Sequence, residues 1–248
     1  MRNRLVLIAL FSISLCGAGP AAEAADSPPV TLYERVRGSV AHLGWAGMQG
    51  DQAAIQWLGT AFLVDDRCTL ATAKHVIDGV KDDQLIVRFQ DKDGETAKTF
   101  SARLLSQDDV SDLAFLKFGP ERSPQSFCGK KNWSPLRIAR SGERRALTGE
   151  EIRIFGFPAI EGAPPRDLPV LRGGIVASAE LSWRGQPMLL LDLTGIPGYS
   201  GGPVVLHPSG EVIGVVFGPG RTERVYDLEW ATPLTPADLI KATVESRR

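Results

Sequence analysis

Apolar residues along this chain occur in short runs, many of them alternating with polar residues, and turn-forming residues separate the runs. Such runs predict β-strands. The predicted strands are SVAHLGW, IQWLGTAFLV, TLATA, QLIVRFQ, DLAFLKF, EIRIFGF, GGIVASAEL, MLLLDL, PVVLH, EVIGVVFG and EWATPL. Clusters rich in Gly, Pro, Asp or Ser, such as KDDQ, HPSGE and GPGRTER, mark turns between them. Many short strands with frequent turn signals predict an all-β sandwich or barrel.

Two segments at the ends of this β-rich region are predicted to be helical. The first is a short helix in TLYERVRG, immediately before the first strand. The second is TPADLIKATVESRR, where Thr235 can act as an N-cap and Asp238 completes a capping-box pattern. Pro236 suits the first position of that helix because an N–H there would have no helical partner.

A polar, turn-rich stretch at residues 123–135 divides the predicted strands into two groups of similar number. We therefore expect two β-halves, one within residues 30–128 and one within residues 129–248, with the C-terminal helix attached to the second. The cleft between two such halves is a common place for a ligand site.

The N-terminal segment, residues 1–24, predicts a secretory signal peptide. Two arginines precede an apolar run from Leu5 to Cys16, and small residues follow. That run is shorter than the roughly 20 residues that a membrane span needs. We expect cleavage after Ala24 and an exported mature protein, periplasmic or secreted, that is not embedded in a membrane. An uncleaved anchor and a lipid attached to Cys16 are the alternatives.

Net charge and cysteine count narrow the classes of partner. The 248 residues carry a net charge of −1 and no run of Lys or Arg, which argues against nucleic acid and anionic lipid. Cys68 and Cys128 are the cysteines of the expected mature chain, and an oxidising compartment favours a disulfide between them. Two separate buried thiols are the alternative. No metal or organic cofactor is expected, because the chain has no CxxC, P-loop, dinucleotide-binding glycine motif or His-x-x-x-His pair.

One serine stands out because glycines surround it in the segment TGIPGYSGGPVVLH. Ser200 is either part of a flexible turn or a nucleophile displayed on a tight loop. A serine nucleophile needs a base within hydrogen-bond reach. His75 has the most suitable position for that base, at the exit of the predicted strand TLATA. His42 lies inside an alternating strand and is expected to be structural, while His207 precedes a turn and is expected to be solvated.

A carboxylate is expected to orient the imidazole of such a base. The segment SQDDVSDLAFLKF offers Asp108, Asp109 and Asp112. Asp112 directly precedes the apolar run LAFL, where the loop enters the core, and is therefore preferred over the other two. A loop cap or a surface charge is the alternative role for Asp112.

Together these segments resemble the chymotrypsin-like serine proteases, specifically the trypsin-like domain of the HtrA/Deg type. The resemblance covers residues 33–237 and rests on LYERVRGSVAHL, GTAFLV, TAKHV, SDLAFLKF, FGFP, GGIVAS and GIPGYSGGPVV, in that order. It implies two six-stranded antiparallel β-barrels and a catalytic triad of His75, Asp112 and Ser200. It also implies that the backbone N–H groups of Gly198 and Ser200 form an oxyanion hole.

The resemblance further implies a pocket for the side chain that precedes the cleaved bond. Thr194 would form its floor, and the strand GVVFG, with Val215, Val216 and Phe217, its wall. Because Thr194 is neutral, small or medium aliphatic side chains are the expected preference. An extended peptide is expected to pair with the wall strand. HtrA-type proteins typically carry a PDZ domain after the protease domain, and none is expected in this chain.

Tyr199 departs from the family pattern. Trypsin-type digestive enzymes have an aspartate immediately before the serine, and HtrA-type proteins usually have a small polar residue there. Activation by an ion pair with a freed N-terminus is therefore not expected. From the sequence, Tyr199 could block the oxyanion loop, bind a substrate side chain, or pack against the protein surface.

The predicted function is that of an exported serine endopeptidase that acts on polypeptides through an acyl-enzyme. A protease-fold protein that binds peptides without cleaving them is the alternative from another class, and hydrolysis of small esters is a third possibility. The sequence leaves the natural substrate, the oligomeric state and the need for an activator open.

Overall fold

The structure is a computed structural model that describes most of the chain after residue 30. The described residues are 31–90, 97–119, 133–139, 146–160, 167–183, 185–194, 196–217 and 228–235, together with 238 and 241. The predicted signal peptide, Cys128 and most of the predicted C-terminal helix lie outside them. What the sequence indicates for those parts stays a prediction.

Six strands in the described part of the N-terminal half close into a barrel, which we call the first barrel. Their order around the barrel is β1, β2, β3, β6, β5, β4, and every neighbouring pair is antiparallel. The strands are β1 (Val40–Gln49), β2 (Gln52–Leu63), β3 (Leu70–Ala73), β4 (Leu85–Gln90), β5 (Ala97–Asp108) and β6 (Leu113–Phe118).

Six further strands among the described residues close into the second barrel. Their order is β10, β11, β12, β9, β8, β7, again with antiparallel neighbours. The strands are β7 (Glu151–Gly156), β8 (Val170–Trp183), β9 (Gln186–Asp192), β10 (Pro203–Leu206), β11 (Val212–Phe217) and β12 (Glu229–Pro233). The predicted fold of two six-stranded antiparallel barrels is confirmed.

Helical segments among the described residues are short. The helix predicted before the first strand is α1, and its N-cap Thr31 accepts a hydrogen bond on its side-chain oxygen from the N–H of Glu34. A second helix, α2, follows β3 directly. Before residue 235 the helical segments are α1 (Leu32–Val36), α2 (Lys74–Ile77) and 3₁₀ turns at Arg37–Ser39 and Asp82–Gln84.

The described residues at the C-terminal end show one half of the predicted capping box, the bond from the Thr235 N–H to the Asp238 carboxylate, while the Asp238 N–H donates to the Thr235 carbonyl and not to its side chain. Asp238 Oδ2 accepts hydrogen bonds from the N–H of Thr235 at 2.8 Å and from the Thr235 hydroxyl at 2.7 Å. Asp238 and Lys241 are both helical. The Asp238 carboxylate, three residues after the N-cap Thr235, therefore accepts the backbone N–H of that N-cap, as the pattern predicts.

β5 is a strand that the sequence pattern did not predict. Phe100 and Ala102 are buried, but most of its other side chains are half-buried or exposed, so the alternation is weak. The strand is defined instead by its partners, since it pairs with β4 on one side and with β6 on the other. Closure of the barrel thus fixes a segment whose own pattern is ambiguous.

The inter-barrel segment, residues 133–139, contacts both barrels. Trp133 is 2% exposed and packs among aromatic rings of the first barrel. Leu136 donates its N–H to a carbonyl at the end of β2, and Ala139 donates its N–H to the carbonyl of Val212 in β11. The side chains that fill the first barrel therefore extend past the expected boundary at residue 128.

Cys68 lies in the turn between β2 and β3 and is fully buried. It has a left-handed backbone conformation, with φ of 63°. The structure records Cys68 as disulfide-bonded. Because Cys128 lies outside the described residues, the pairing of these two cysteines stays a prediction.

Two kinds of feature are absent from the residues that the structure describes. They contain no group of three or more His, Cys, Asp or Glu side chains arranged to hold a metal ion. They also contain no helix that combines the length and the apolar character needed to cross a membrane.

Candidate active site

His75 lies in α2, directly after the buried strand β3. Val76 and Ile77 of the same helix are 7% and 6% exposed, so they anchor this turn in the core. The side chain of His75, in contrast, is 35% exposed. A short apolar turn thus presents the imidazole at the surface of the first barrel.

Asp112 reaches His75 from the turn before β6, the strand that pairs with β3. Its φ of 55° is left-handed, a conformation that aspartate adopts more readily than most residues. Its Oδ2 lies 2.6 Å from Nδ1 of His75, and its Oδ1 accepts the His75 N–H at 2.9 Å. The Asp112 carbonyl accepts the N–H of Lys74 at 2.8 Å. Three hydrogen bonds therefore join this aspartate to the turn that carries the histidine.

The contact between Asp112 and His75 assigns the roles of the two ring nitrogens. An ionised carboxylate only accepts hydrogen bonds, so Nδ1 of His75 carries the proton that is shared with Asp112. In the neutral ring, Nε2 is then left as an acceptor. The side chain of Asp112 is only 14% exposed, and this shielding strengthens its interaction with the ring.

Ser200 lies between β9 and β10 in a segment that we call the serine loop, residues 196–202. The loop turns its carbonyl groups toward surrounding backbone. The hydrogen bonds are Tyr199 N–H to Ile196 O (3.2 Å), Ala159 N–H to Pro197 O (2.9 Å), Phe157 N–H to Gly198 O (3.3 Å), Gly202 N–H to Tyr199 O (2.8 Å), Thr60 N–H to Ser200 O (2.9 Å) and Val216 N–H to Gly202 O (2.9 Å).

The N–H groups of Gly198 and Ser200 are in a different position. Neither of them donates a hydrogen bond to another described residue. Gly198 has φ of 101°, and a Cβ at this position would lie 2.1 Å from the carbonyl oxygen of Phe157. Only glycine fits there. Two N–H groups separated by one intervening residue in such a loop can bind one anionic oxygen together.

The serine loop is docked against the first barrel beside the histidine. Thr60 in β2 donates its N–H to the Ser200 carbonyl. A Cβ on Gly201 would lie 2.2 Å from the Thr60 carbonyl oxygen and 2.3 Å from Oγ1 of Thr72, which precedes His75 by three residues. Among the described residues, Ser200 and His75 share no direct hydrogen bond; in apo enzymes such bonds are often long and tighten when substrate binds.

The four residues expected to line a substrate pocket differ in how far their side chains are exposed. Val215 and Val216 are 1% and 0% exposed, so their side chains belong to the core and only their backbone can face a ligand. Phe217 is half-buried, and its ring stands edge-on to His75 with the centroids 5.8 Å apart. Thr194 is exposed, two residues after the end of β9. Phe217 is therefore the one of these four that contacts the histidine directly.

Two further residues contact the site without having been predicted from the sequence. Thr60 is fully buried, and its hydroxyl donates to the Gly198 carbonyl at 2.7 Å and accepts the Phe157 N–H at 3.2 Å. Trp183, at the end of β8, lies 5.3 Å from Phe217 between ring centroids. Nothing in the sequence around either residue signals these contacts, because both join segments that are far apart in the chain.

Tyr199 lies in the core of the second barrel and is 1% exposed. A Cβ on Gly156 would lie 2.8 Å from the tyrosine ring, so β7 leaves room for the phenol by having glycine there. The three roles considered from the sequence are therefore wrong. A side chain buried this deeply neither contacts substrate nor packs on the surface.

The remaining histidines have structural surroundings. His42 in β1 is 6% exposed, and its ring stacks between Trp57 and Phe157 with centroid distances of 4.2 Å and 4.4 Å. This confirms the expected structural role. His207 directly follows β10 and is half-buried, so the expectation that it is solvated is wrong.

The other candidate carboxylates face lysines. Asp108 Oδ2 lies 3.4 Å from the ammonium of Lys241, and Asp109 Oδ1 lies 3.1 Å from that of Lys74. Lys74 also lies 2.9 Å from Asp78. The hydrogen bonds to Asp78 and then to Asp109 raise the pKa of Lys74 above its ordinary value. Asp78 and Asp109 therefore lie beside the turn that carries His75 without orienting its ring, and Asp108 is paired with Lys241 instead.

Comparison with known proteins gives matches in sequence. A profile of the trypsin-like peptidase domain matches residues 59–215. The chain is 30% identical over 173 residues to a probable periplasmic serine endoprotease, DegP-like, of Pseudomonas savastanoi pv. phaseolicola. That match covers 68% of this chain and 31% of the relative, so the chain spans about a third of the length of that protein.

Solved structures give matches in fold. The HtrA-type protease AlgW with a decapeptide superimposes with a TM-score of 0.65 at 20% identity, covering 88% of this chain and 67% of that one. A serine endoprotease from Yersinia pestis gives a TM-score of 0.61 at 20% identity, covering 88% and 68% of the two chains. At this level of identity the likeness concerns the arrangement of the two barrels.

Proposed function

We propose that this chain, which belongs to the family of trypsin-like peptidase domains, is an exported serine endopeptidase with a triad of Ser200, His75 and Asp112. One observation carries the proposal: the serine loop is docked by the Thr60 hydrogen bond beside a histidine that Asp112 holds by two hydrogen bonds. A nucleophile, a base and an orienting carboxylate are the parts that acyl transfer requires.

The reaction would begin with attack of Ser200 Oγ on the carbonyl carbon of a peptide bond. Nε2 of His75 takes the hydroxyl proton, because Nδ1 is bound to Asp112. Asp112 stabilises the imidazolium that forms and keeps the ring in place. The imidazolium then gives its proton to the leaving amine, the peptide bond breaks, and an acyl ester of Ser200 remains. Water, deprotonated by His75, attacks that ester and releases a carboxylic acid and free Ser200.

The N–H groups of Gly198 and Ser200 are proposed to stabilise the charge that develops on the carbonyl oxygen. Both groups are free of acceptors among the described residues, and they belong to a loop whose carbonyls are bound elsewhere. Donors that are already oriented when the charge forms lower the barrier by about 3–4 kcal/mol each. Glycine at position 198 is required for this backbone conformation.

The proposed substrates are polypeptides with an apolar residue near the cleaved bond. Phe217 and Trp183 form an aromatic surface beside His75, which favours apolar side chains at that place. Thr194 carries no charge, so a small or medium aliphatic residue immediately before the cleaved bond remains part of the proposal. An extended peptide would pair with the backbone of the strand that ends at Phe217.

Export is part of the same proposal. It is supported by the signal-peptide pattern of residues 1–24 and by the periplasmic designation in the name of the DegP-like relative. A disulfide between Cys68 and Cys128 fits an oxidising compartment, and Cys68 is disulfide-bonded. The burial of Tyr199 gives no support to the alternative of a peptide-binding protein with a blocked site.

Labelling with a fluorophosphonate probe tests the proposal. Such probes react with an activated serine, so the purified parent protein should be labelled. Ser200→Ala should not be labelled and should lose on the order of 10⁶ in turnover. Ser209→Ala, at an exposed turn serine, is the matched control and should be labelled like the parent. Melting temperatures of all three proteins check that they are folded.

Two results would speak against an endopeptidase. Labelling that persists in Ser200→Ala would mean that another residue reacts, and the assignment of the nucleophile would be wrong. A folded parent that stays unlabelled, with and without added peptides, would favour a protein that binds peptides without cleaving them.

A further inference from the structure

The serine loop is fixed mainly through its carbonyl groups. Each carbonyl from Ile196 to Ser200 accepts a backbone hydrogen bond, so none of them is left to turn into the cleft. Part of this support comes from β2 of the first barrel, and part comes from the segment that follows β7. The donors from outside the loop are the N–H groups of Thr60, Phe157 and Ala159.

The hydrogen bond from Ala159 to the Pro197 carbonyl sets the direction of the next N–H. A trans peptide is planar, and its C=O and N–H groups point in opposite directions. Because the Pro197 carbonyl faces Ala159, the N–H of Gly198 faces the other way. Turning this peptide over would break the 2.9 Å bond and direct a carbonyl oxygen to the side where the N–H now lies. The observed form is therefore the one that can bind an anionic oxygen.

Thr60 fixes the following peptide in the same way. Its hydroxyl, which is fully buried, donates to the Gly198 carbonyl at 2.7 Å. The same oxygen accepts the N–H of Phe157 at 3.2 Å, so one side chain of the first barrel joins two backbone segments of the second. A buried hydrogen bond of this kind resists rearrangement because breaking it leaves a polar group unsatisfied.

Tyr199 holds the loop from inside the second barrel. Its ring is among the largest fully buried side chains, and its Cα lies between the two N–H groups of the proposed oxyanion hole. Moving the loop out of this form would pull the ring from the core and leave a cavity behind. Large cavities in a packed core are strongly destabilising.

We propose that Thr60 and Tyr199 are positioning residues that hold the serine loop in its anion-binding form, so that Ser200 reacts without an activating ligand. This inference rests on the proposed function and concerns the regulation of that same site. Thr60 acts from the first barrel through its hydroxyl, and Tyr199 acts from the core of the second barrel through its volume.

Thr60→Val and Thr60→Ser test the hydroxyl, because valine keeps the shape of threonine and serine keeps its hydroxyl. With p-nitrophenyl acetate as substrate, kcat of Thr60→Val should fall at least about tenfold while KM changes little, since small misplacements of catalytic groups have such effects. The rate of fluorophosphonate labelling should fall in parallel. Thr60→Ser should recover most of both rates, which a purely structural role for the side-chain volume would not explain.

Tyr199→Leu tests the buried ring and keeps the inference testable where Thr60→Val does not fold. The matched control is Phe89→Leu, which shortens an equally buried aromatic side chain in the first barrel. Both variants should melt at lower temperature than the parent. At a temperature where both are fully folded, Tyr199→Leu should be labelled at least about tenfold more slowly, and Phe89→Leu should be labelled at the rate of the parent.

The outcomes separate the inference from the proposed function. Labelling of the parent that is not accelerated by a peptic digest of casein supports both. Two results overturn the inference but not the proposed function. One is labelling of the parent that needs the digest. The other is equal labelling rates in Thr60→Val and Thr60→Ser and in Tyr199→Leu and Phe89→Leu. A folded parent that is never labelled overturns both.

Discussion

The two barrels contribute to the candidate site in different ways. The first barrel supplies two side chains, His75 and Asp112, next to the ends of paired strands. The Asp112 carboxylate lies 2.6 Å from Nδ1 of the His75 ring and accepts the backbone N–H of His75 at 2.9 Å. The second barrel supplies Ser200 on a loop whose backbone is held by its carbonyls. One half thus depends on side-chain chemistry, and the other depends on backbone conformation.

This difference predicts two kinds of sensitivity. In the first barrel, exchanging one functional group should stop the chemistry and leave the fold intact. In the second barrel, adding a single methyl group in the wrong place should disturb the backbone, because glycines there pack directly against other main-chain atoms. Substitutions in each half test this division, and their expected effects differ in size.

Gly201→Ala should have the largest effect of the three. A Cβ there would lie 2.2 Å from the Thr60 carbonyl oxygen and 3.1 Å from Ala73 N, and neither backbone can move freely. Overpacking of this kind costs about 1–3 kcal/mol, in addition to roughly 1–2 kcal/mol for alanine at φ of 82°. We expect complete loss of fluorophosphonate labelling and a clear drop in the free energy of unfolding, measured with urea.

Gly149→Ala is the control for that substitution. Its φ of 92° imposes the same backbone strain, but a Cβ there has no atom within 4 Å. It should lose about 1–2 kcal/mol of stability and keep its labelling rate. Equal losses in the two variants would mean that the close approach of the serine loop to the first barrel is not what Gly201 is needed for.

Asp112→Asn should have the next largest effect, on activity alone. The amide can keep one oxygen acceptor for the His75 N–H, but its NH₂ then faces Nδ1 and shifts the ring proton to Nε2. A ring protonated there cannot accept the Ser200 proton, and in triads this costs about 10⁴ in kcat. Asparagine tolerates the left-handed backbone of this position, so the melting temperature should change little.

Hydrolysis of p-nitrophenyl acetate measures this loss. Asp109→Asn, which lies in the same turn-rich segment with its carboxylate on Lys74, should retain the parent rate. A similar fall in both variants would show that the acidic segment acts as a whole, and the single role given to Asp112 would be wrong.

Lys74→Met should have the smallest effect. Its ion pairs with Asp78 and Asp109 lie at the surface, where such pairs contribute little, so we expect less than about a threefold change in rate. Because its pKa is raised, Lys74 stays charged at neutral and moderately alkaline pH, and its contribution is lost only as pH rises through that raised value. The melting difference from the parent should therefore be constant between about pH 6 and 9. A larger change in rate would give these ion pairs a part in holding the histidine.

The sequence predicted the architecture because most strands carry their own apolar pattern. It also pointed to the contact between His75 and Asp112, since their motifs occur in the order typical of the family. The catalytic roles of these two residues and of Ser200 stay predictions. β5 was not predicted because most of its side chains are half-buried or exposed, so apolar and polar residues do not alternate clearly along it. The residues of β5 alone do not identify it as a strand, because its pairing with β4 and β6 defines it.

The support of the serine loop could not be predicted for a different reason. Thr60 lies in a motif that looks like an ordinary strand, and its hydrogen bonds to Gly198 and Phe157 cross from one barrel to the other. Tyr199 looks like a loop residue beside the nucleophile, yet the local sequence does not show that the second barrel has space for its ring. Both roles depend on contacts that exist only after the barrels have formed and met.

The inter-barrel segment restricts how this protein could be divided into fragments. A fragment of the first barrel that ended before residue 133 would lack the indole of Trp133 and expose the aromatic rings around it. A fragment of the second barrel that began after residue 139 would lose the parallel bridge between Ile138 and Val212. Trp133 and Leu136 therefore belong with the first barrel, and Ile138 and Ala139 belong with the second. A division of the chain that preserves both sets of contacts has to fall inside this segment, between residues 136 and 137.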